Sequence, residues 1–516
     1  MTSPTSSEAA QKDGFDPELR RLALVVLLGA VMTILDTTIA NVAVKTLGTE
    51  FKTSLSTIQW VLTAYTLALS MSIPITGWAV ARFGAKNMWL LSLVVFISGS
   101  VLCGAAWSVG SLIGFRVLQG LGAGMIMPIG QTMLAQKAGP QRMGRVMAVI
   151  AVPAMLAPVL GPVIGGALID NFSWRWMFYV NVPLCAIALI AAVRLLPRDT
   201  TEAAVRRAAK LDWIGLLLLS PGLAALVYGL AEAGNGDGLS SAKFLIGVSA
   251  GAVLVIAFVL YATFIAGDSA LVDIRLFRDR NFSIVIAGFF VYVGALFGAM
   301  VLLPLYFQVV KHQSPLHSGL MTAPLGLGAM ITMPLSGRLS DRVGAKRIAL
   351  VGLPVMLLGL LAYTQLDADT GTLYLLGALF VLGLGHGSMM PAMMGGMYRT
   401  LERRDVPSAT TASNVIMRVG SSVGVAFLAV ILQRAIQHQI PGSTGNLGSI
   451  SKAPALGAAA AHHLTTLLTR AFDTGFWWAF GIAAITFIPI LLIPRATKPG
   501  IQTKDPEQIP APVDVA

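Results

Sequence analysis

Asp36 and Arg116 each interrupt a run of residues that is otherwise apolar. No charged side chain lies between Arg21 and Asp36, so on a helix the carboxyl stands about 20 Å beyond the last charge. An ionised aspartate at mid-membrane costs roughly 2.5 to 3.5 kcal/mol on insertion scales. Desolvation favours the protonated form of any carboxyl, and one that takes up and releases a proton inside a membrane is by its chemistry a proton carrier. The plainer alternative is a packing carboxyl bonded to Thr37, Thr38 or Asn41. Arg116 cannot shed its charge and needs a partner or a water-filled cavity. With Gln119 one turn along, it either tunes Asp36 or serves as a structural ion pair or carbonyl clamp. Further polar or aromatic side chains in apolar runs are candidates for a substrate cavity: Asn41, Gln59, Trp60, Tyr65, His386, Asn414 and Arg418. Methionines such as Met125, Met127, Met389, Met390, Met393 and Met394 would give it a soft lining or serve as filler. His386, between Gly385 and Gly387, is of the side-chain type that changes charge near neutral pH, or is a neutral hydrogen-bonding group.

The elements that must position these residues follow from composition. With 516 residues, 55% hydrophobic and 12% charged, and a mean hydropathy of +0.76, the chain is too apolar for an ordinary soluble protein. It contains fourteen charge-poor apolar runs of about 20 residues, from 21–44 and 57–81 at one end to 407–432 and 474–494 at the other. They lack period-two alternation, and a bilayer offers no partner to open backbone, so the expectation is a polytopic bundle of helices and not a barrel. Asp13, Asp16 and Glu18 precede the first run without a small-residue cleavage site, so that helix is expected to stay. The net charge of +12 is distributed unevenly: Arg82, Lys86, Arg142, Arg145, Lys210, Arg275, Arg342, Lys346, Arg347 and Arg404 all fall on one side. This places both termini in the cytoplasm and speaks against nucleic acid as partner. Cys103 and Cys185 lie inside apolar runs and read as packing, not as a disulfide framework.

Two internal matches organise the runs. GWAVARFGAKN at 77–87 pairs with GRLSDRVGAKR at 337–347, and GLGAGMIMP at 120–128 with GLGHGSMMP at 383–391. Two matches at nearly one offset indicate duplicated halves. The expected organisation is an N-terminal tail (1–20), a six-helix bundle (21–200), two inserted helices (201–270), a second six-helix bundle (271–494) with an extracytoplasmic loop at 433–473, and a C-terminal tail (495–516). Parallel repeats of this kind can rock about a site between them. In the repeated turn, Gly77, Gly84, Gly337 and Gly344 allow close approach and sharp reversal, while Arg82 and Arg342 stay with the headgroups. Asp341 can accept hydrogen bonds from a neighbouring helix N-terminus, or pair with an arginine, and so hold one conformation closed; Ala81 in the first copy cannot. Alternatively both turns only set topology. Leu379 and Leu382 stand where the first half has Arg116 and Gln119, which confines the expected proton chemistry to the first half. Pro158 and Pro162 are four apart, as are Gly161 and Gly165, with Gly166 adjacent; a bent helix with a small-residue face suits a rocking interface.

The order and spacing of several stretches resemble the major facilitator superfamily, and within it the fourteen-helix drug:proton antiporters: the turn GRLSDRVGAKR, RVLQGLGAG at 116–124, APVLGPVIGG at 157–166, ILDTTIANVAV at 34–44, SWRWMFYVNVP at 173–183, LDWIG at 211–215 and DIRLFRDRNF at 273–282. The resemblance implies two six-helix bundles plus two extra helices, a gate latch at Asp341, an antiporter-type fifth helix, and proton-coupled efflux of hydrophobic or amphipathic molecules across the cytoplasmic membrane by a monomer. An exporter of one specific lipid or metabolite, or a non-transporting membrane sensor, are the alternatives. The sequence has no phosphate-binding loop, metal-ligand cluster or nucleophile elbow, so neither an enzyme nor a cofactor or metal is expected.

Overall fold

The structure, a computed structural model, describes residues 16–139, 142–196, 210–233, 238–402, 404–440, 443 and 458–494. Every regular element among them is helical. The first half comprises α1 (Pro17–Val42), α2 (Val44–Glu50), α3 (Leu55–Ser72), α4 (Thr76–Phe83), α5 (Ala85–Gly104), α6 (Val109–Ala138), α7 (Met143–Asn171), α8 (Trp176–Tyr179) and α9 (Asn181–Leu195). The inserted pair is α10 (Trp213–Glu232) and α11 (Ala242–Tyr261). The second half comprises α12 (Arg280–Val309), α13 (Pro315–Met321), α14 (Ala323–Val343), α15 (Ala345–Tyr363), α16 (Thr372–Met397), α17 (Val406–Gln439), α18 (Ala458–Ile485) and α19 (Phe487–Leu492).

Polar residues between the apolar runs start the helices. The Asp16 carboxylate accepts the Leu19 N–H at 2.7 Å, with Pro17 in the first helical turn, and Ser108 and Ser111 form a reciprocal capping box on α6; such caps satisfy N–H groups that the helix leaves open. Asp212 accepts from Gly215 N–H, Leu271 N–H and the Tyr261 hydroxyl, tying both inserted helices to the strand of chain that enters the second half. The repeated turn has one conformation in both copies: Gly84 at φ 88°, ψ 152° and Gly344 at φ 93°, ψ 147°, a region that only glycine enters without strain.

Packing repeats as well. In the first half α3 and α5 lie on α6, and α1 lies on α7; in the second, α14 and α15 lie on α16, and α12 lies on α17. α10 and α11 pair with one another, and α10 touches α3 on one side and α17 on the other. The halves meet through α7 with α14 and α16, and through α17 with α4 and α6.

The structure bears on three expectations in detail. Twelve helices among the described residues are long and apolar enough to cross a membrane, and up to thirteen if the bent pair α3 and α4 forms one span, against fourteen expected. The remaining run, 146–169, lies on the 29-residue α7, some of whose side chains are outside the described residues. The expected single helix over 57–81 is broken by 55° at Ile73–Ile75, around Pro74, whereas the equivalent Pro334 sits inside an uninterrupted α14; a proline removes one backbone bond and permits, without forcing, a break. Helix also occupies both ends of the expected loop 433–473 and begins at Pro17 within the expected tail 1–20. Residues 441–442 and 444–457 of that loop, the tail 495–516 and residues 201–209 and 234–237 of the inserted segment lie outside the described residues.

Candidate functional site

Asp36 lies on α1 with 2% of its surface exposed, and Arg116, Gln119 and Asn181 are fully enclosed around it. Arg116 Nη1 donates to Asp36 Oδ2 at 2.7 Å. Gln119 Nε2 and Asn181 Nδ2 donate to Asp36 Oδ1 at 2.8 and 2.7 Å. Arg116 and Gln119 reach one carboxylate because residues three apart share a helix face, and Arg116 Nη1 also donates to Gln119 Oε1 at 2.7 Å, fixing the orientation of that amide. Arg116 Nε donates to the Val61 carbonyl on α3 at 3.2 Å, and the guanidinium lies 3.9 Å from the centre of the Tyr65 ring. Ser100 on α5 accepts from both amides, at 3.2 Å from Gln119 and 3.1 Å from Asn181, and donates to the Phe178 carbonyl at 2.9 Å.

The arrangement fits a carboxylate anion: both oxygens are occupied by donors, one of them a cation, in a water-poor interior where such bonds are strong. Breaking a pair of this kind by removing one partner costs about 3 to 5 kcal/mol, because the other charge is left buried. These bonds join α1, α3, α5, α6 and the start of α9. The alternative in which Asp36 bonds Thr37, Thr38 or Asn41 is not what forms: Thr37 and Thr38 hydroxyls turn back onto carbonyls of their own helix, and Asn41 is exposed. Asn181 and Ser100 were not singled out from the sequence, and Cys103, whose thiol lies 3.7 Å from Gln119 Oε1, was read there only as packing. Asn181 is the one amide in the stretch SWRWMFYVNVP, which was read only as a whole, for its resemblance.

Other candidate residues lie apart from Asp36. His386 is enclosed in the second half, its Nδ1 2.5 Å from the Tyr292 hydroxyl. Asn414 on α17 donates to Gln131 Oε1 on α6 at 2.7 Å, a bond between the halves; Gln131 is another residue that sequence reading passed over. Arg418, one turn further along α17, is partly buried. Gln59 and Trp60 are exposed, and the Trp60 ring stacks on Tyr228 of α10 with centroids 5.6 Å apart, so Trp60 faces the inserted pair. Met389, Met393 and Met394 are packed into the second half, while Met125, Met127 and Met390 keep partial exposure. Gly161 and Gly165 lie against Thr38 and Ile39 of α1, so this glycine face packs α7 within its own half and is not the interface between halves. Gly166 has open space beside it. The side chains of Pro158 and Pro162 lie outside the described residues.

At the face where α1 begins, the second copy of the turn closes onto α7. Asp341 Oδ1 accepts the Gly144 N–H at 3.0 Å and Oδ2 the Arg145 N–H at 3.3 Å. α7 has no side-chain cap of its own, and Asp341 takes that place from across the interface, where the helix dipole favours an anion. Gly337 makes the approach possible: a Cβ there would lie 2.6 Å from the Gly144 carbonyl oxygen. The first copy meets α17 in the same place without a carboxylate. Gly77 lies against Pro407 and Thr411, and the Thr76 and Thr411 hydroxyls are 3.2 Å apart. Asp405 precedes α17 but does not cap it; burial pushes its carboxyl above the usual carboxylate range, against the pull of Arg404. Arg82 and Arg342 are exposed at this face.

The chain matches the family model for the Major Facilitator Superfamily over residues 26–425. It is 35% identical over 508 residues to the multidrug resistance protein B homolog of Mycobacterium tuberculosis, covering 95% of this chain and 93% of the relative. To the multidrug export protein EmrB of Escherichia coli it is 33% identical over 327 residues, 63% of each chain. Its fold is similar to that of the human organic anion transporter MFSD10, with a TM-score of 0.61 at 15% identity over 93% of this chain and 100% of the other. It is also similar to the proton:xylose symporter XylE, with a TM-score of 0.58 at 13% identity over 92% and 96%. A sealed acid–arginine pair in one half, a turn repeated between halves and these likenesses agree: the chain is a multi-pass membrane protein that belongs to the Major Facilitator Superfamily.

Proposed function

We propose that the protein exports hydrophobic or amphipathic small molecules across the cell membrane in exchange for protons, as a monomer with both termini in the cytoplasm. The relatives' names speak of multidrug resistance and multidrug export, and the observation that carries proton coupling is Asp36, sealed in the membrane interior and held by Arg116, Gln119 and Asn181. In this reading the conformation described has its cytoplasmic side shut by Asp341 on α7, by Asn414 on Gln131 and by Thr76 beside Thr411. A proton entering from outside neutralises Asp36, frees Arg116 and weakens the bonds that hold the first half in this arrangement. The halves then rock, cargo enters from the cytoplasm, and proton release restores the pair.

The test is proton flux in liposomes under an imposed pH gradient, on adding lipophilic cations and neutral drugs, for the native protein and Asp36→Asn. Substrate-dependent flux that vanishes in the variant is expected. Flux that persists in Asp36→Asn moves the proton site elsewhere, and no flux in the native protein with any compound replaces drug antiport by carriage of one specific lipid or metabolite.

A further inference from the structure

Three polar residues of α17 turn toward the first half, and only two of them find a partner there. The Thr411 hydroxyl is 3.2 Å from that of Thr76, and the Asn414 amide donates to Gln131 at 2.7 Å. One turn further stands Arg418. Residues three and four apart share a helix face, so Arg418 points the same way, and its guanidinium is near enough to Tyr65 of α3 for the two to interact electrostatically. Among the described residues Arg418 forms no ion pair. Its Nε is enclosed without a hydrogen-bond partner, as is the Tyr65 hydroxyl, while the residue as a whole keeps partial exposure. Thr37 lies near the Tyr65 hydroxyl but gives its own proton to the Thr33 carbonyl. Asp36 cannot serve Arg418, since both its oxygens are held by Arg116, Gln119 and Asn181. Residues 149–159 of α7, whose side chains lie outside the described residues, include no acid. α6 ends, with Lys137 paired to Glu18, at the face where α17 begins, so Met127, partly exposed and one turn back from Gln131, stands level with Arg418.

We propose that Arg418 binds the anionic group of the exported molecule, so that the cargo is an amphipathic anion: a carboxylate, sulfonate or phosphate on an apolar body that lies against the Met127 thioether. The inference rests on the export reading above and narrows it. An unpaired cation inside a membrane protein is costly and calls for a counter-charge, and a guanidinium fork matches the oxygens of such groups in pairs. The Tyr65 hydroxyl is a second donor, supplied by the other half, and its ring lies against Arg116. An anion held by both donors therefore touches both halves and adjoins the proton site. A lipophilic cation meets a like charge at the same place.

The test is equilibrium dialysis of three fluorescent probes of one ring system, pyrenesulfonate, pyrenemethanol and pyrenemethylammonium, against the full-length protein in phosphatidylcholine nanodiscs, with empty nanodiscs as reference. Pyrenesulfonate is expected to bind most tightly. Arg418→Gln should weaken it about tenfold to a hundredfold, the worth of hydrogen bonds to a charged group, and leave pyrenemethanol within about twofold. Arg418→Lys should keep most of the sulfonate binding, and Tyr65→Phe should lower it about threefold. The unfolding temperature of Arg418→Gln should not fall below that of the native protein, because a cation held only by cargo has no internal partner to lose. Sulfonate bound no more tightly than the alcohol, sulfonate binding undiminished in Arg418→Gln, an equal loss of all three probes, or a marked fall in that variant's unfolding temperature each overturns the proposal. No gradient is present, so these outcomes do not depend on proton coupling: flux with cations or neutral drugs that vanishes in Asp36→Asn would keep the export reading even where the anion site fails.

Discussion

Lys86 and Lys346 close the same joint in the two halves. Each extends from the first turn of the helix after the repeated turn to the last carbonyls of its half, Lys86 to those of Val193 and Leu196 at 3.0 and 2.7 Å, Lys346 to those of Leu491 and Ile493 at 2.6 and 2.8 Å. Gly99 on α5 and Gly359 on α15 form another matched pair: a Cβ on either would stand 2.6 Å from the Cα of the residue opposite. That residue is Gln119 in one half and Leu382 in the other. The joints are common to both halves, but the chemistry next to them is not: where the first half holds Asp36, Arg116 and Gln119 in a polar knot, the second has Leu379 and Leu382, with Tyr292 and His386 bonded to one another nearby. What close packing and helix ends require is the same in both halves, and the charge is not.

The largest effect that can break this comparison comes from the ion pair. Asp36→Leu leaves the Arg116 cation buried without its anion, and Arg116→Leu leaves the Asp36 anion without its cation; each should cost about 3 to 5 kcal/mol. If the second half is a fair guide, the scaffold accepts leucine at the Arg116 position, and the double variant Asp36→Leu/Arg116→Leu should recover most of that loss while remaining inactive in transport. Thermal unfolding of the four proteins gives the cycle. Additive losses in the double variant would mean that the knot is needed for folding, and that the halves differ in more than chemistry.

Much of this was legible in the residues and some was not, for physical reasons. Apolar length and charge asymmetry are one-dimensional properties, so the spans and the duplication could be read directly, as could Asp36, because an acid in an apolar run stands out against its neighbours. The break at Pro74 could not be, since Pro334 in the same motif leaves its helix whole. Nor could every partner of Asp36: Arg116 and Gln119 stood out as residues that could tune it, but Asn181, 145 positions away, did not, because a single amide among apolar residues carries no sign of what it faces. The glycine face of α7 was visible as a spacing, but which helix it met depended on the fold.

A smaller and sharper test uses the matched glycines. Gly99→Ala and Gly359→Ala put the same methyl against the same kind of backbone, so both should destabilise by about 1 to 3 kcal/mol. The methyl at Gly99 pushes on Gln119, however, and therefore on a donor to Asp36, whereas the one at Gly359 pushes on Leu382. Proton-coupled flux, corrected for the amount of folded protein, is expected to fall several-fold in Gly99→Ala and to stay near native in Gly359→Ala. Equal losses would sink the claim that the joint is shared and the chemistry is not.

The smallest expected effect bears on the one place where joint and charge diverge together. Asp341 caps α7 through Gly144, the second residue of that helix, and the second residue of α17 is Pro407. Proline has no N–H to give, so the first half lacks both the acid, replaced by Ala81, and the shorter of the two hydrogen bonds that an acid there would accept. Removing the cap with Asp341→Ala should cost about 0.5 to 2 kcal/mol of the closed arrangement, a shift of about twofold to thirtyfold toward opening at that face. Spin-label distances between α4 and α17, and between α7 and α14, measure it. Ala81→Asp alone should shift the populations by no more than a few tenths of a kcal/mol, because Pro407 offers nothing to accept. Ala81→Asp with Pro407→Gly supplies donor and acceptor at once and should favour closure by about 1 kcal/mol. If Ala81→Asp closes the face as well as the pair does, the missing N–H is not what left the first copy without its acid, and only the loss of the carboxylate itself separates the two joints.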